Sequence, residues 1–152
     1  MTHEEKMEWS ADARGLTFAI VVARFHPEIT NKLLAGAQEA LKKAGAAKVQ
    51  VFHVPGTFEL PLAAKKLASS YDGVIALGAV VRGETPHFDF VAEAASHGLV
   101  QVALETGKPV AFGVLTTDNY QQALERAGGA HGNKGFDAAM TAVEMARFGQ
   151  AS

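Results

Sequence analysis

The sequence predicts an α/β protein, a three-layer α/β/α sandwich on a four-stranded parallel sheet, and three observations lead there. Four short segments are continuously apolar and rich in β-branched residues. Amphipathic helical patterns fill the intervals between them, and 152 residues is the length of one domain rather than two. Strands alternating with helices read as βαβ units, whose crossovers are right-handed and whose sheet is covered on both faces. With 48% hydrophobic residues, the chain can fill the core that such a sandwich needs.

Thr17–Ala23 (TFAIVVA) is too short for a typical helix and suits a strand buried on both faces. Ile29, Leu33, Ala37, Ala40, Leu41 and Ala44 then recur at three- and four-residue steps, and Gly45 stands where a helix C-terminal glycine belongs. The second strand is Lys48–Val54 (KVQVFHV), the least continuous because Gln50 and His53 interrupt it. Leu60, Ala63, Ala64 and Leu67 mark the second helix. Gly73–Val80 (GVIALGAV) is the third strand, and Val91, Ala95, Leu99 and Val102 mark the third helix. Pro109–Leu115 (PVAFGVL) closes the set of strands. Asp118 is placed to cap a short helix, and Phe136, Met140, Val143 and Arg147 track the last one. This order is flavodoxin-like. Residues 1–14 read as an N-terminal extension and 15–152 as a single domain, with no internal repeat, low-complexity tract or linker.

The charge balance, 14 Lys+Arg against 16 Asp+Glu, provides no net attraction toward nucleic acid or an anionic membrane, so a phosphate would have to be held locally. Cysteine is absent, which excludes disulfides, thiolate catalysis and Cys-based zinc sites. The opening MTHEEKMEWSADARG lacks the apolar stretch of a secretory signal, so a cytoplasmic location is expected. The longest apolar run, Val74 to Val81, falls far short of the ~20 residues of a membrane helix.

In open parallel sheets, ligands bind beyond the carboxyl ends of the strands. This points to four loops: Arg24–Glu28, Pro55–Glu59, Val81–His87 and Thr116–Asn119. The third, Arg82-Gly83-Glu84-Thr85-Pro86-His87, is the most informative. Thr85 suits an N-cap and Pro86 a first helical residue. A glycine turn feeding a helix start exposes unpaired N–H groups at the positive end of the helix dipole, which suits a phosphate or carboxylate. These residues alone leave anion binding and plain capping both open. His87, Asp89 and Glu84 lack the partner spacing of a metal site, so no metal is expected. Gly132-Asn133-Lys134-Gly135 is not a P-loop, because glycine follows the lysine where Ser or Thr is required.

Extended from Gly78 to Phe90, the same segment reads GAVVRGETPHFDF, and this string resembles the signature of the lumazine synthases. The resemblance also covers ARF from Ala23, PGTFELP from Pro55, PVAFGVLTTD from Pro109, and QALERAG and GNKGFDAA near the end. It implies condensation of 5-amino-6-ribitylaminouracil with 3,4-dihydroxy-2-butanone 4-phosphate to 6,7-dimethyl-8-ribityllumazine, the penultimate step of riboflavin biosynthesis, with no cofactor. By motif position it implies that Phe25 stacks on the pyrimidine, and that Thr57, Phe58 and Glu59 hold the ring edge and ribityl chain. Ala79, Val80 and Val81 are then expected to make backbone contacts. Glu84 and Thr85 would offer N–H groups to the phosphate, Arg126 its guanidinium, and His87 would transfer protons. Phe112 and Lys134 complete the expected site, with Phe112, Arg126 and Lys134 supplied by a neighbouring subunit.

Without the motif each residue has a plainer reading. Phe25 and Phe58 would be core residues, Glu59 would complement a helix N-terminus, and Arg126 would pair with helix-end carbonyls. Two positions depart from the family pattern: His26 stands where Asn is frequent, and Thr57 where Ala is common. The resemblance implies homopentamers and, in some members, a sixty-chain icosahedral shell that could enclose riboflavin synthase as a partner. The turn Gly128–Gly135 carries no insertion of the kind seen in pentamer-only members, which favours the shell. Two rival functions are a non-catalytic lumazine- or flavin-binding relative and a purely structural shell protein. A synthase assay separates the first, and complementation of a riboflavin auxotroph the second.

Overall fold

Strands β1 (Thr17–Ala23), β2 (Lys48–Val54), β3 (Gly73–Val81) and β4 (Val110–Thr117) form one parallel sheet in the order β2-β1-β3-β4. The computed structural model describes residues 8, 9 and 12–150. Helices α1 (Pro27–Ala44), α2 (Leu60–Ala68) and α3 (His87–Thr106) make the three crossovers; α4 (Tyr120–Glu125) and α5 (Lys134–Arg147) follow the sheet. The expected three-layer α/β/α, flavodoxin-like architecture is therefore present.

Side chains alternate across the sheet with period two, and each set meets its own helices. Phe18, Ile20, Val22, Ile75, Leu77, Ala111 and Leu115 pack with α1, α4 and α5, through Ile29, Leu33, Leu41, Ala123 and Met140 among others. Ala19, Val21, Val74, Ala76 and Val114 face α2 and α3, against Leu60, Ala64, Leu99 and Val102. The central strands β1 and β3 are buried on both faces, as their unbroken apolar runs require, whereas the edge strand β2 is half exposed. Gln50 and His53 are tolerated because they lie on that edge. Gln50 accepts a hydrogen bond from the Tyr71 hydroxyl at 2.6 Å.

Helix α1 ends at Gly45, whose φ of 84° is left-handed and whose N–H reaches the Leu41 and Lys42 carbonyls, the arrangement for which glycine is suited. Two capping expectations shift by one residue. Pro86, not Thr85, is the N-cap of α3, with Thr85 Oγ1 accepting from His87 N at 3.5 Å. Asn119, not Asp118, caps α4, its side chain accepting from Gln122 N at 2.9 Å. A small antiparallel pair, β5 (Ala127–Gly129) with β6 (Gly132–Asn133), lies between α4 and α5. The extension expected over residues 1–14 lies largely outside the described residues. Of its described part, Ala13 is fully buried, and Arg147 donates to the Asp12 carbonyl at 2.9 Å and the Arg14 carbonyl at 2.6 Å.

Candidate functional site

The chain runs from β1 to the edge strand β2 and then returns past β1 to β3, so the crossovers change direction between β1 and β3. At such a switch point the loops after the two strands diverge and leave a crevice at their carboxyl ends. A cleft of about 600 Å³ lies there, lined by Phe25 and His26 after β1, Gly56–Glu59 after β2, Ala79–Val81 of β3, and His87 and Val91 of α3. Three of the four expected loops therefore meet in one place. The fourth, Thr116–Asn119, contributes to a different pocket.

Phe25 and Phe58 are 66% and 61% exposed, which removes the core reading of both. Two phenylalanines exposed beside a cleft are the kind of apolar surface that ligands or partner chains cover. Thr57 opens a short 3₁₀ turn, Thr57–Glu59, and is buried against β3. A Cβ on Gly78 would stand 2.8 Å from its hydroxyl oxygen, so Gly78 makes room for this side chain. Glu59 sits at the N-cap position of α2 without a side-chain cap bond, so its carboxylate is not engaged in capping.

His26 has φ 57° and ψ 60°, and among the described residues it alone departs into positive φ without being glycine. Asn, Asp and His enter this region more readily than other side chains, which makes His26 a conformationally suitable replacement for Asn. Its carbonyl accepts from Ile29 N and Thr30 N, each at 3.0 Å, and so starts α1. Its ring lies 6.2 Å from that of Tyr120, whose hydroxyl donates to Glu28 at 2.9 Å. Desolvation and the Glu28 carboxylate together raise the Tyr120 pKa above the ordinary phenol value.

The turn ahead of α3 is exposed from Arg82 through His87, and Phe88 is its first buried residue. Among the described residues the N–H groups of Gly83, Glu84 and Thr85 find no protein acceptor. They therefore form a set of free donors at the positive end of a 20-residue helix, which complements an anion. His87 bridges the features, belonging to this helix start and also lining the cleft.

Arg126, Lys134 and Phe112 are not part of that cleft. Arg126 and Lys134 line a second pocket of about 410 Å³, with Thr116, Thr117, Asp118, Gln122, His131 and Asp137. Arg126 Nη1 donates to the Gln122 carbonyl at 3.0 Å and lies 3.7 Å from Glu125 Oε1, so within one chain its helix-end contact is real. Phe112 is in register with Ala76 and packs partly buried on the α2/α3 side of the sheet. Asp137, not singled out from sequence, joins the second pocket. Burial raises its carboxyl above the ordinary aspartate value, against the opposing pull of Lys134 and a hydrogen bond from Trp9. An acidic residue in a first helical turn is commonplace, so no signal marked it. Among the described residues no group of three or more His, Asp or Glu side chains converges as metal ligands would.

The family model for 6,7-dimethyl-8-ribityllumazine synthase matches residues 15–150. The chain is 54% identical over 145 residues to the 6,7-dimethyl-8-ribityllumazine synthase of Chlorobium phaeobacteroides, covering 93% of this chain and 94% of the relative. It is 52% identical over 151 residues to the protein of the same name from Nitratidesulfovibrio vulgaris, covering 97% of each.

Proposed function

The chain belongs to the 6,7-dimethyl-8-ribityllumazine synthase family, and from that premise we propose that it condenses 5-amino-6-ribitylaminouracil with 3,4-dihydroxy-2-butanone 4-phosphate. Phosphate and water leave, and the lumazine precursor of riboflavin forms. The observation that carries this reading is the switch-point cleft, flanked by exposed Phe25 and Phe58, with a turn of free N–H donors and the His87 imidazole at its edge.

In this account Phe25 stacks on the pyrimidine, while Thr57, Phe58 and Glu59 hold its edge and the ribityl chain. The backbone of Ala79, Val80 and Val81 forms the floor. The N–H groups of Glu84 and Thr85 bind the phosphate, and Arg126 adds its guanidinium. The amine of the uracil attacks the ketone carbonyl, water leaves as the imine forms, phosphate is eliminated, and ring closure expels a second water. His87 is the group at hand to accept and return protons through these steps. Proximity carries most of the acceleration, because aligning two soluble reactants can supply ~7–11 kcal/mol.

Arg126, Lys134 and Phe112 reach a substrate in the cleft only from another copy of the chain, which makes the enzyme a homo-oligomer with shared sites. In support, α3 leaves Phe90, Val100 and Leu104 exposed, the last at 81%, along a helix already buried on its other face. The assembly we propose is a pentamer, with pentamers closing into an icosahedral shell able to hold riboflavin synthase. No helix among the described residues is long and apolar enough to cross a membrane, and the proposed location is the cytoplasm. The direct test mixes pure protein with both substrates and follows lumazine absorbance. Product that forms only when both are present supports the assignment; folded protein with no turnover refutes it.

A further inference from the structure

Arg82 joins two loops at the carboxyl end of the sheet without lining the cleft. Its N–H donates to the Thr117 carbonyl at 2.9 Å, extending the β3–β4 ladder by one rung. Its Nε donates to Asp118 Oδ1 at 2.9 Å, Nη1 lies 3.7 Å from Asp89 Oδ1, and the guanidinium carbon stands 4.4 Å from the centroid of the Phe88 ring. One side chain thereby ties the end of β4 to the first turn of α3, across the base of the exposed Gly83–His87 turn.

Two physical consequences follow. Opposed by two carboxylates and stacked on an aromatic face, this guanidinium is already engaged, so it is a poor ligand for an incoming phosphate although it is the cation nearest the turn in sequence. The turn is also fixed at both ends, by Arg82 before it and by buried Phe88 after it, while the residues between carry free N–H groups. A preorganised anion site needs such anchoring, because donors that must be ordered on binding lose part of their effect.

We propose that Arg82 and Asp118 are positioning residues: their ion pair holds the Gly83–His87 turn in the geometry that serves the phosphate-bearing substrate. This rests on the reading of that turn as the phosphate site. The pair is partly exposed, with side chains 47% and 69% accessible, so its effect is modest, about two- to fivefold by analogy with other exposed pairs.

The test compares Arg82→Met, Asp118→Asn and the double variant in steady-state assays with each substrate varied in turn. Both single variants are expected to raise KM for the butanone phosphate about two- to fivefold and to lower kcat, leaving KM for the ribitylaminouracil unchanged. The double variant is expected to be no worse than the more impaired single one, and Arg82→Lys to recover part of the loss. A direct phosphate contact by Arg82 predicts the opposite sign for Asp118→Asn, since freeing the guanidinium would lower that KM. That result, an additive double variant, or equal shifts in both KM values would overturn the proposal. Amide hydrogen exchange at Arg82, Asp89 and Phe90, whose N–H groups are bonded to the Thr117 and Pro86 carbonyls at the two ends of the turn, offers a readout independent of turnover. Faster exchange in both single variants supports the clamp, and unchanged exchange overturns it, even for a protein that fails the synthase assay.

Discussion

Replacing Gly135 by alanine tests how α5, and with it Lys134, is seated. Gly135 is the second residue of α5, and a Cβ built there lies 2.0 Å from the Leu33 carbonyl oxygen and 2.7 Å from its carbon. Both atoms are backbone in the middle of α1, so no rotamer change relieves the clash. Ordinary contact begins at 3.4 Å, so the two helices must separate by roughly 1.4 Å, a shift that strips contacts from Leu33, Ala37, Ala139 and Val143 at their interface. Overpacking usually costs about 1–3 kcal/mol, and a backbone collision belongs at or above the top of that range. For a chain of this size, about 3 kcal/mol corresponds to a fall in Tm of roughly 6–12 °C. The assay is thermal unfolding at fixed protein concentration, because assembly makes Tm concentration-dependent. Gly36→Ala is the control: the three atoms nearest its Cβ would all belong to the Asn133 side chain, the closest at 2.3 Å. That side chain can move, at the expense of its bonds to Phe136 N and the Lys32 carbonyl, so a smaller loss is expected. A Gly135→Ala protein within about 1 kcal/mol of the parent, or one less affected than Gly36→Ala, would refute the close backbone approach.

His87→Ala is expected to lower kcat by about 10²–10⁴-fold and to leave measurable turnover from proximity alone; complete loss in a folded protein would contradict that ordering. Arg126→Ala should raise KM for the butanone phosphate more than for the ribitylaminouracil, and equal weakening of both in initial-rate measurements would remove its assignment to the phosphate. Asp137 has a raised pKa from burial, so its protonated form favours folding and this contribution is lost as pH rises through the folded-state value. Asp137→Asn should therefore raise Tm at neutral pH, with the gain shrinking as pH falls toward the ordinary carboxylate range; a melting profile showing a gain that grows in acid would have the wrong sign.

The strands were legible because a parallel sheet buries both faces, so β1 and β3 appear as unbroken apolar runs that nothing else of that length explains. Helix α1 was legible for the complementary reason: one buried stripe and a terminal glycine at Gly45. Where reading from sequence slipped, backbone dihedrals decided the outcome. Pro86, with ψ near 4°, takes the cap position that Thr85 was expected to fill, and extended Asn119 displaces Asp118, which pairs with Arg82 instead. The hairpin β5–β6 left no pattern, since its residues are mostly glycine and lack apolar alternation. Phe25 and Phe58 would pass for core residues by type alone. Their loops followed from the ends of β1 and β2, but only the motif resemblance marked the two side chains themselves, and the structure leaves both exposed beside the cleft. The second pocket, holding Arg126, Lys134 and Asp137, depends on how α4 and α5 fold back after β4, a long-range event with no local signature.

A site shared between chains can be tested most directly by mixing two defective variants. One chain carries Phe58→Asp, which spoils its own cleft, and the other Arg126→Ala, which spoils what it lends to a neighbour. Random co-assembly places two intact halves together at about a quarter of the sites, so the mixture is predicted to recover roughly that share of parental lumazine formation, well above either variant alone. Mixed assemblies verified by mass that show no recovery would contradict a cleft completed by the adjacent chain.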